Sequence, residues 1–330
     1  MLSNMPIKLL PVITFLVFFK TVWASIGDRS PHYERCVYNC RTANCSEDGE
    51  GFVSGYKQPL HLKLTAWSCL DECRYNCMWE TVDSFHKRNW KTPQFHGKWP
   101  FIRFLGIQEP ASVMFSLLNL FAHLIMIRKF NKFVRPDSPL YWLWFVYCVV
   151  CCHAWLWSAI FHTRDFPITE LFDYSCAFSI VLVNCYVMSV RVLRYFLNRS
   201  LLMALTVSFL AFFISHTAYL SMGKFDYDYN MKLNIIVGTF TALCWFLWCV
   251  IHKNRQPYVW KCTLYVTLAG LVLLLELIDQ PPIFYIFDYH SLWHLATAPL
   301  VFIVYSFAID DCRYLRKTET QMREDKVKNR

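Results

Sequence analysis

Charge is scarce in this chain of 330 residues: Asp, Glu, Lys and Arg together make up 17% of it. Soluble domains usually carry about a quarter charged residues, so the shortage excludes a molecule wetted on every side. A basic face or arm is lacking too. The formal charge is +9, yet the cations lie in short clusters between apolar runs. That spacing excludes a nucleic-acid binder and fits loops beside an anionic membrane leaflet. Nor do two halves of the chain carry matching Gly- or Pro-interrupted spans, the mark of repeat-built transporters. What fills the space is apolar and aromatic: 55% hydrophobic residues, with 28 Phe, 18 Tyr and 13 Trp.

Runs long enough to cross a bilayer are expected at about 111–127, 140–162, 168–190, 201–221, 232–251, 262–278 and 290–309. The first is short and interrupted by Asn119 and His123. Basic residues test the count. Arg128, Lys129, Lys132 and Arg135 follow the first span, Arg191, Arg194 and Arg199 the third, and Lys253, Arg255 and Lys261 the fifth. Arg313, Arg316 and Lys317 open the tail. The alternate loops hold only Arg164, Lys224 and Lys232 near their ends, and the last holds none. With seven spans and a luminal start, every basic loop faces the cytosol. Asn198-Arg199-Ser200, a glycosylation sequon, then falls on the cytosolic side and is expected to stay unmodified.

The amino terminus reads as a signal peptide, with Lys8 before the apolar run Leu9 to Phe19 and a small residue, Ala24, closing Val22-Trp23-Ala24. Lys20 interrupts the segment, and an uncleaved signal anchor is the rival reading. In the soluble stretch that follows stand Cys36, Cys40, Cys45, Cys69, Cys73 and Cys77. Six cysteines in an oxidising compartment indicate three disulfides, among fifteen possible pairings. Several lie four residues apart, one helical turn, which suits two short helices stapled together. A zinc site is the lesser alternative, because its cysteines usually come in closer pairs. Asn44-Cys45-Ser46 is a second sequon, open to a glycan unless a disulfide at Cys45 forms first. The other nine cysteines sit mostly in apolar spans and act as small hydrophobes.

Polar groups inside a membrane are costly and therefore candidates for function. His123, His153 and His216 stand alone and are read as structural, and Asn119 as an interhelical hydrogen bonder. Glu276 and Asp279 near the end of the sixth span suit either a cation or proton relay or plain interfacial carboxylates. One set differs. Ser158 and His162 lie four apart at the luminal end of the second span, Asp173 lies one to two turns into the third, and His290 and His294 lie four apart at the start of the seventh. All five reach the same depth. Three histidines with an open fourth position are the ligand set of catalytic zinc, and spacing by four lets two imidazoles on one helix share a metal. A structural polar cluster is the alternative reading.

The pattern Ser158-x-x-x-His162, Asp173 and His290-x-x-x-His294 resembles a superfamily of seven-span membrane hydrolases that includes alkaline ceramidases and adiponectin-receptor-like proteins. The rest of the chain is similar to one branch of it, the post-GPI-attachment-to-proteins factor 3 family. The similarity rests on the six-cysteine domain, Gln108-Glu109-Pro110-Ala111-Ser112, Phe161-His162-Thr163-Arg164-Asp165 and Leu277-Ile278-Asp279-Gln280-Pro281-Pro282. The resemblance implies a zinc ion, Zn2+, held by His162, His290 and His294, with Ser158 and Asp173 beside its water. It implies removal of the sn-2 acyl chain from the phosphatidylinositol of GPI-anchored proteins in the Golgi.

The expected fold is therefore all-α: a polytopic membrane protein, a seven-transmembrane helix bundle with a small disulfide-rich luminal N-terminal domain. The expected divisions are a signal peptide at 1–24, the cysteine-rich domain at 25–109, the hydrolase-like bundle at 110–309 and a cytosolic basic tail at 310–330. Lys326 and Lys328, at the end of that tail, resemble a dilysine retrieval signal read by coat proteins, placing the protein in the Golgi membrane and partly in the endoplasmic reticulum. A seven-span receptor and a lipid-binding remodelling factor without catalysis are the competing functions.

Overall fold

A computed structural model describes residues 25–53 and 57–328. The expected signal peptide at 1–24 lies outside the described residues. Among these residues there are ten helices and no strand beyond isolated bridges such as Cys45 with Phe52.

The first three helices build the cysteine-rich domain. Helix α1 (Pro31–Asn44) begins on a proline, whose missing N–H costs nothing at a helix start. Short α2 (Leu60–Leu64) precedes α3 (Cys69–Lys87). Helix α3 opens with a capping box: Ser68 Oγ accepts the Asp71 N–H at 3.1 Å while Asp71 accepts the Ser68 N–H at 3.2 Å. Cys36 pairs with Cys77, Cys40 with Cys73 and Cys45 with Cys69. The pairs nest, first with last, because α1 and α3 run antiparallel and present thiols one turn apart. Cys45, Cys69 and Cys73 lie close enough to suit a metal, but all three sulfurs are in disulfides and none is a free thiolate. The buried apolar cluster under the staples is small, with Tyr33, Cys77, Val82 and Phe95 at its centre. Each cross-link therefore matters, by roughly 3–4 kcal/mol in the chain-entropy picture. Asn44, of the Asn44-Cys45-Ser46 sequon, is exposed and its side-chain amide donates to the Cys40 carbonyl at 3.1 Å.

Seven further helices are long and apolar enough to cross a membrane: α4 (Pro110–Phe133), α5 (Tyr141–Thr163), α6 (Pro167–Leu193), α7 (Arg199–Ser221), α8 (Tyr227–His252), α9 (Val259–Glu276) and α10 (Tyr289–Lys328). Even the shortest, α9, reaches about 27 Å at 1.5 Å per residue, close to the ~30 Å hydrocarbon layer. Prolines open α4 and α6, and Asn198 caps α7 by accepting the Leu201 N–H at 2.9 Å. That capping role engages the side-chain oxygen of Asn198 in the Asn198-Arg199-Ser200 sequon. Helices α4, α5, α6 and α10 form the inner group, burying Phe130, Trp144, Val187, Tyr305 and Phe307, the last also against Trp245 and Trp248 of α8. Only 6% of the apolar window of α7 is buried, so that helix is peripheral and turns its side chains outward.

Helix α10 runs without a break for 40 residues, so residues 310–328 of the expected tail continue the seventh span as one helix. Arg191 differs from its reading as a loop cation. It lies inside α6, buried, and its guanidinium meets the fully buried Asp311 of α10 at 2.8 Å. Tyr258 donates to the same carboxylate at 2.6 Å, and Gln256 accepts from the Arg191 guanidinium at 3.3 Å. This cluster ties α6, α10 and the α8–α9 connection together at the end of the bundle remote from the histidines.

Candidate metal centre

The site forms where the bundle meets the cysteine-rich domain. Helix α5 ends at Thr163, leaving carbonyls without intrahelical partners. The chain entering α4 satisfies them: the Gln108 N–H donates to the Thr163 carbonyl and the Glu109 N–H to the His162 carbonyl, both at 3.0 Å. Pro110 holds Glu109 in a non-helical conformation just ahead of the helix. The same pairing lays the Glu109 carboxylate on the His162 ring, with Nδ1 to Oε2 at 2.7 Å. On the opposite side Asp288 caps α10 by accepting the Ser291 N–H at 2.8 Å, which fixes the turn carrying His290 and His294.

All three expected histidines converge. His290 Nε2 lies 3.3 Å from His162 Nε2 and 2.9 Å from His294 Nε2. Each remaining ring nitrogen has an oxygen partner. His162 Nδ1 meets Glu109, His290 Nδ1 meets Glu276 Oε2 at 2.7 Å, and His294 Nδ1 meets Ser116 Oγ at 2.9 Å. Carboxylates accept, so Nδ1 of His162 and of His290 carries the proton and the Nε2 lone pairs point inward. Inward-facing lone pairs this close repel unless a cation or a shared proton lies between them. Ligating nitrogens 2.0–2.1 Å from a tetrahedral ion lie about 3.3 Å apart, which matches the His162–His290 separation, while the His290–His294 separation of 2.9 Å is somewhat shorter. Imidazoles held from behind by carboxylates are the usual outer arrangement of such sites. The residues fit a divalent cation.

The two other expected residues stand beside this triad. Asp173 lies beside Ser158 and interacts electrostatically with His162 and His290. Ser158 Oγ lies 3.1 Å from Ser116 Oγ, so one chain of contacts runs from Ser158 through Ser116 to His294. Trp155 covers His294 edge-on and Trp293 stacks on His290, making the surroundings apolar. His162 and His294 are only 3% and 1% exposed, whereas the His290 side chain is 33% exposed, so the centre opens on the His290 side.

Four contributing residues were not singled out for this role from the sequence. Glu109 was visible in the Gln-Glu-Pro run and Glu276 among the carboxylates near the end of the sixth span, but neither showed which histidine it serves. Ser116 and Lys98 gave no signal. Lys98 Nζ pairs with Glu109 Oε1 at 3.0 Å and with Asp165 Oδ2 at 2.7 Å. Burial works against both charges of the Lys98–Glu109 pair. Even so, Glu109 and Asp165 hold Lys98 above the ordinary lysine range, while Lys98 and His162 hold Glu109 below the carboxylate range. Outside the centre, His123 meets the Tyr305 hydroxyl at 3.2 Å, His153 lies between Trp157 and Cys176, and His216 packs on Phe178. Asn119 donates across helices to the His294 carbonyl at 2.7 Å.

A family model described as the Per1-like family matches residues 59–312 of this chain. The chain belongs to the Per1-like family. A Drosophila melanogaster protein named "Post-GPI attachment to proteins factor 3" is 50% identical over 286 residues, 86% of this chain and 87% of its own length. Two proteins named "GPI-specific phospholipase A2-like PGAP3" are also similar. The one from Xenopus laevis is 44% identical, covering 92% of this chain and 96% of its own, and the one from Homo sapiens is 40% identical, covering 92% and 93%. No solved structure matches this Per1-like chain.

Proposed function

We propose that this chain remodels GPI anchors by hydrolysing the sn-2 acyl ester of their phosphatidylinositol, with a zinc ion as cofactor. The observation that carries the proposal is the meeting of three imidazole Nε2 atoms with Asp173 and Ser158 alongside, at the end of the spans where a lipid ester would lie. Relatives named as phospholipase A2-like support the reaction class. His162, His290 and His294 would hold the ion, whose Lewis acidity brings the pKa of water in its open position toward about 7.

The chain's own groups do the remainder. Glu109 and Glu276 keep the protons on Nδ1 and so keep the Nε2 lone pairs available. Asp173, beside the triad, acts as general base: it takes a proton from the attacking water and returns it to the departing lysolipid alkoxide. Water and ester thereby become a fatty acid and a lysolipid. In this scheme the Ser158 hydroxyl, which lies beside Asp173, would donate to its carboxylate while that group is ionised. Once Asp173 is protonated the hydroxyl is released to stabilise the developing oxyanion. Ser158 is not the nucleophile in this scheme, because all three neighbouring histidines are committed as ligands.

We place the cysteine-rich domain and the centre in the lumen and the carboxyl-terminal end of α10 in the cytosol, following the distribution of Lys and Arg. The protein would act in the Golgi membrane and partly in the endoplasmic reticulum, with Lys326 and Lys328 within reach of coat proteins. The test is fatty-acid release from a GPI lipid by the purified full-length chain. Release that falls about a thousandfold in Asp173→Asn supports the scheme. A chain that binds the lipid and sustains remodelling in cells but releases no fatty acid when purified would instead be an accessory factor.

A further inference from the structure

The stretch between α3 and α4 forms no helix, yet it is tied down along its length. Its first part is fastened to the cysteine-rich domain. The Gly27 N–H donates to the Gln94 carbonyl at 3.0 Å, Phe95 packs on Tyr33, the His96 N–H donates to Asp28 at 3.1 Å and the Gly97 N–H to Ser25 Oγ at 2.8 Å. Gly27 is required there, since a Cβ would lie 2.5 Å from the Gln94 carbonyl oxygen. Further on, Arg103 pairs with Glu72 of α3 between the rings of Trp67 and Tyr75. Trp67 in turn donates to the Gly106 carbonyl at 2.8 Å.

The same stretch touches the bundle at two places, and each leads to one arm of the histidine triad. Lys98 bridges Glu109 and Asp165 and lies over the Phe161 ring at 4.5 Å. Glu109 holds His162, which comes from α5. On the other side, Trp99 Nε1 donates to Asp279 at 2.7 Å and Gln94 to the same carboxylate at 3.2 Å. The Ile102 N–H donates to the Tyr285 carbonyl at 2.9 Å, and Trp79 of α3 meets the Tyr285 ring edge-on. Asp279 and Tyr285 belong to the connection that leaves Glu276 and leads into His290. The two arms therefore share one external brace.

We propose that the cysteine-rich domain is the positioning scaffold of the metal centre and acts chiefly through Lys98; this rests on the reading above that the three histidines hold a metal. Two carboxylates, the buried Glu109 and the half-buried Asp165, face one ammonium group, and without it they repel each other. Glu109 then relaxes away from His162 and releases that ring. The disulfides contribute at one remove, since they hold α1 and α3, which hold the 94–103 stretch.

The experiment measures metal affinity, not turnover. Full-length protein in detergent is titrated with zinc against a competing chelator, comparing wild type, Lys98→Met, Lys98→Arg and Asp279→Ala. Loss of an outer partner typically weakens metal binding about 10–100-fold. Lys98→Met should fall in that range, Lys98→Arg should recover most of the affinity, and Asp279→Ala, which loosens the other arm, should weaken binding several-fold. If Lys98→Met does not fold, the Arg and Asp279 variants decide the matter. A wild type that holds zinc while Lys98→Met and Asp279→Ala hold it equally tightly overturns the scaffold role alone. A wild type that binds no metal overturns the zinc reading and this inference with it.

Discussion

Arg191 and Asp311 offer a quantitative test of how the bundle is held in register. The Asp311 carboxylate accepts from Arg191 Nε at 2.8 Å, from Arg191 Nη2 at 2.8 Å and from Tyr258 at 2.6 Å, and the two charged side chains are 3% and 0% exposed. Asp311→Leu leaves a buried guanidinium with Gln256 at 3.3 Å and the face of Trp248 as its remaining partners. Removing one member of such a pair costs about 3–5 kcal/mol, most of it the penalty for the stranded charge. Arg191→Met strands Asp311 in the same way and should cost a similar amount. The double variant leaves no stranded charge and should lie within about 1–2 kcal/mol of wild type, since apolar replacement of a buried pair is often close to neutral. Unfolding of the four proteins in one detergent, followed to completion, gives the cycle. Additive losses in the double variant would refute the reasoning, because they would mean that each side chain matters through separate contacts.

Other outcomes follow from the centre itself. Glu276→Gln removes the charge behind His290 Nδ1 and should weaken metal binding about 10–100-fold, read by chelator competition. Dialysis against a strong chelator should abolish fatty-acid release, and zinc should restore it. Replacing Cys36 and Cys77 together by Ala should lower stability by roughly 3–4 kcal/mol, seen as increased proteolysis of the cysteine-rich domain. On the proposed orientation Asn198 carries no glycan, and a glycosidase shift that disappears in Asn198→Gln would reverse the topology.

The helical spans were legible because hydrocarbon demands long apolar runs and leaves little choice of structure; the observed spans mostly extend the expected ones by a few residues, chiefly at the polar ends. His290 and His294 were legible because a spacing of four is itself geometric information. The outer partners were not, since Glu109 serves His162 from 53 positions away and Glu276 serves His290 from across a non-helical connection. Arg191 read as a loop cation for a similar reason: its neutralising partner Asp311 lies 120 positions downstream. The disulfide pairing stayed open among its alternatives until the antiparallel packing of α1 on α3 was known. The length of α10 was hidden by composition, because its outer half is charged and only helical continuity joins it to the span.

Elemental analysis of the purified full-length chain tests the central claim most directly. About one zinc ion per wild-type chain is expected, with near-complete loss in His294→Ala and His290→Ala proteins that remain folded and monodisperse. Folded histidine variants that keep a full equivalent of metal, or a wild type that takes up none when zinc is supplied, would contradict it.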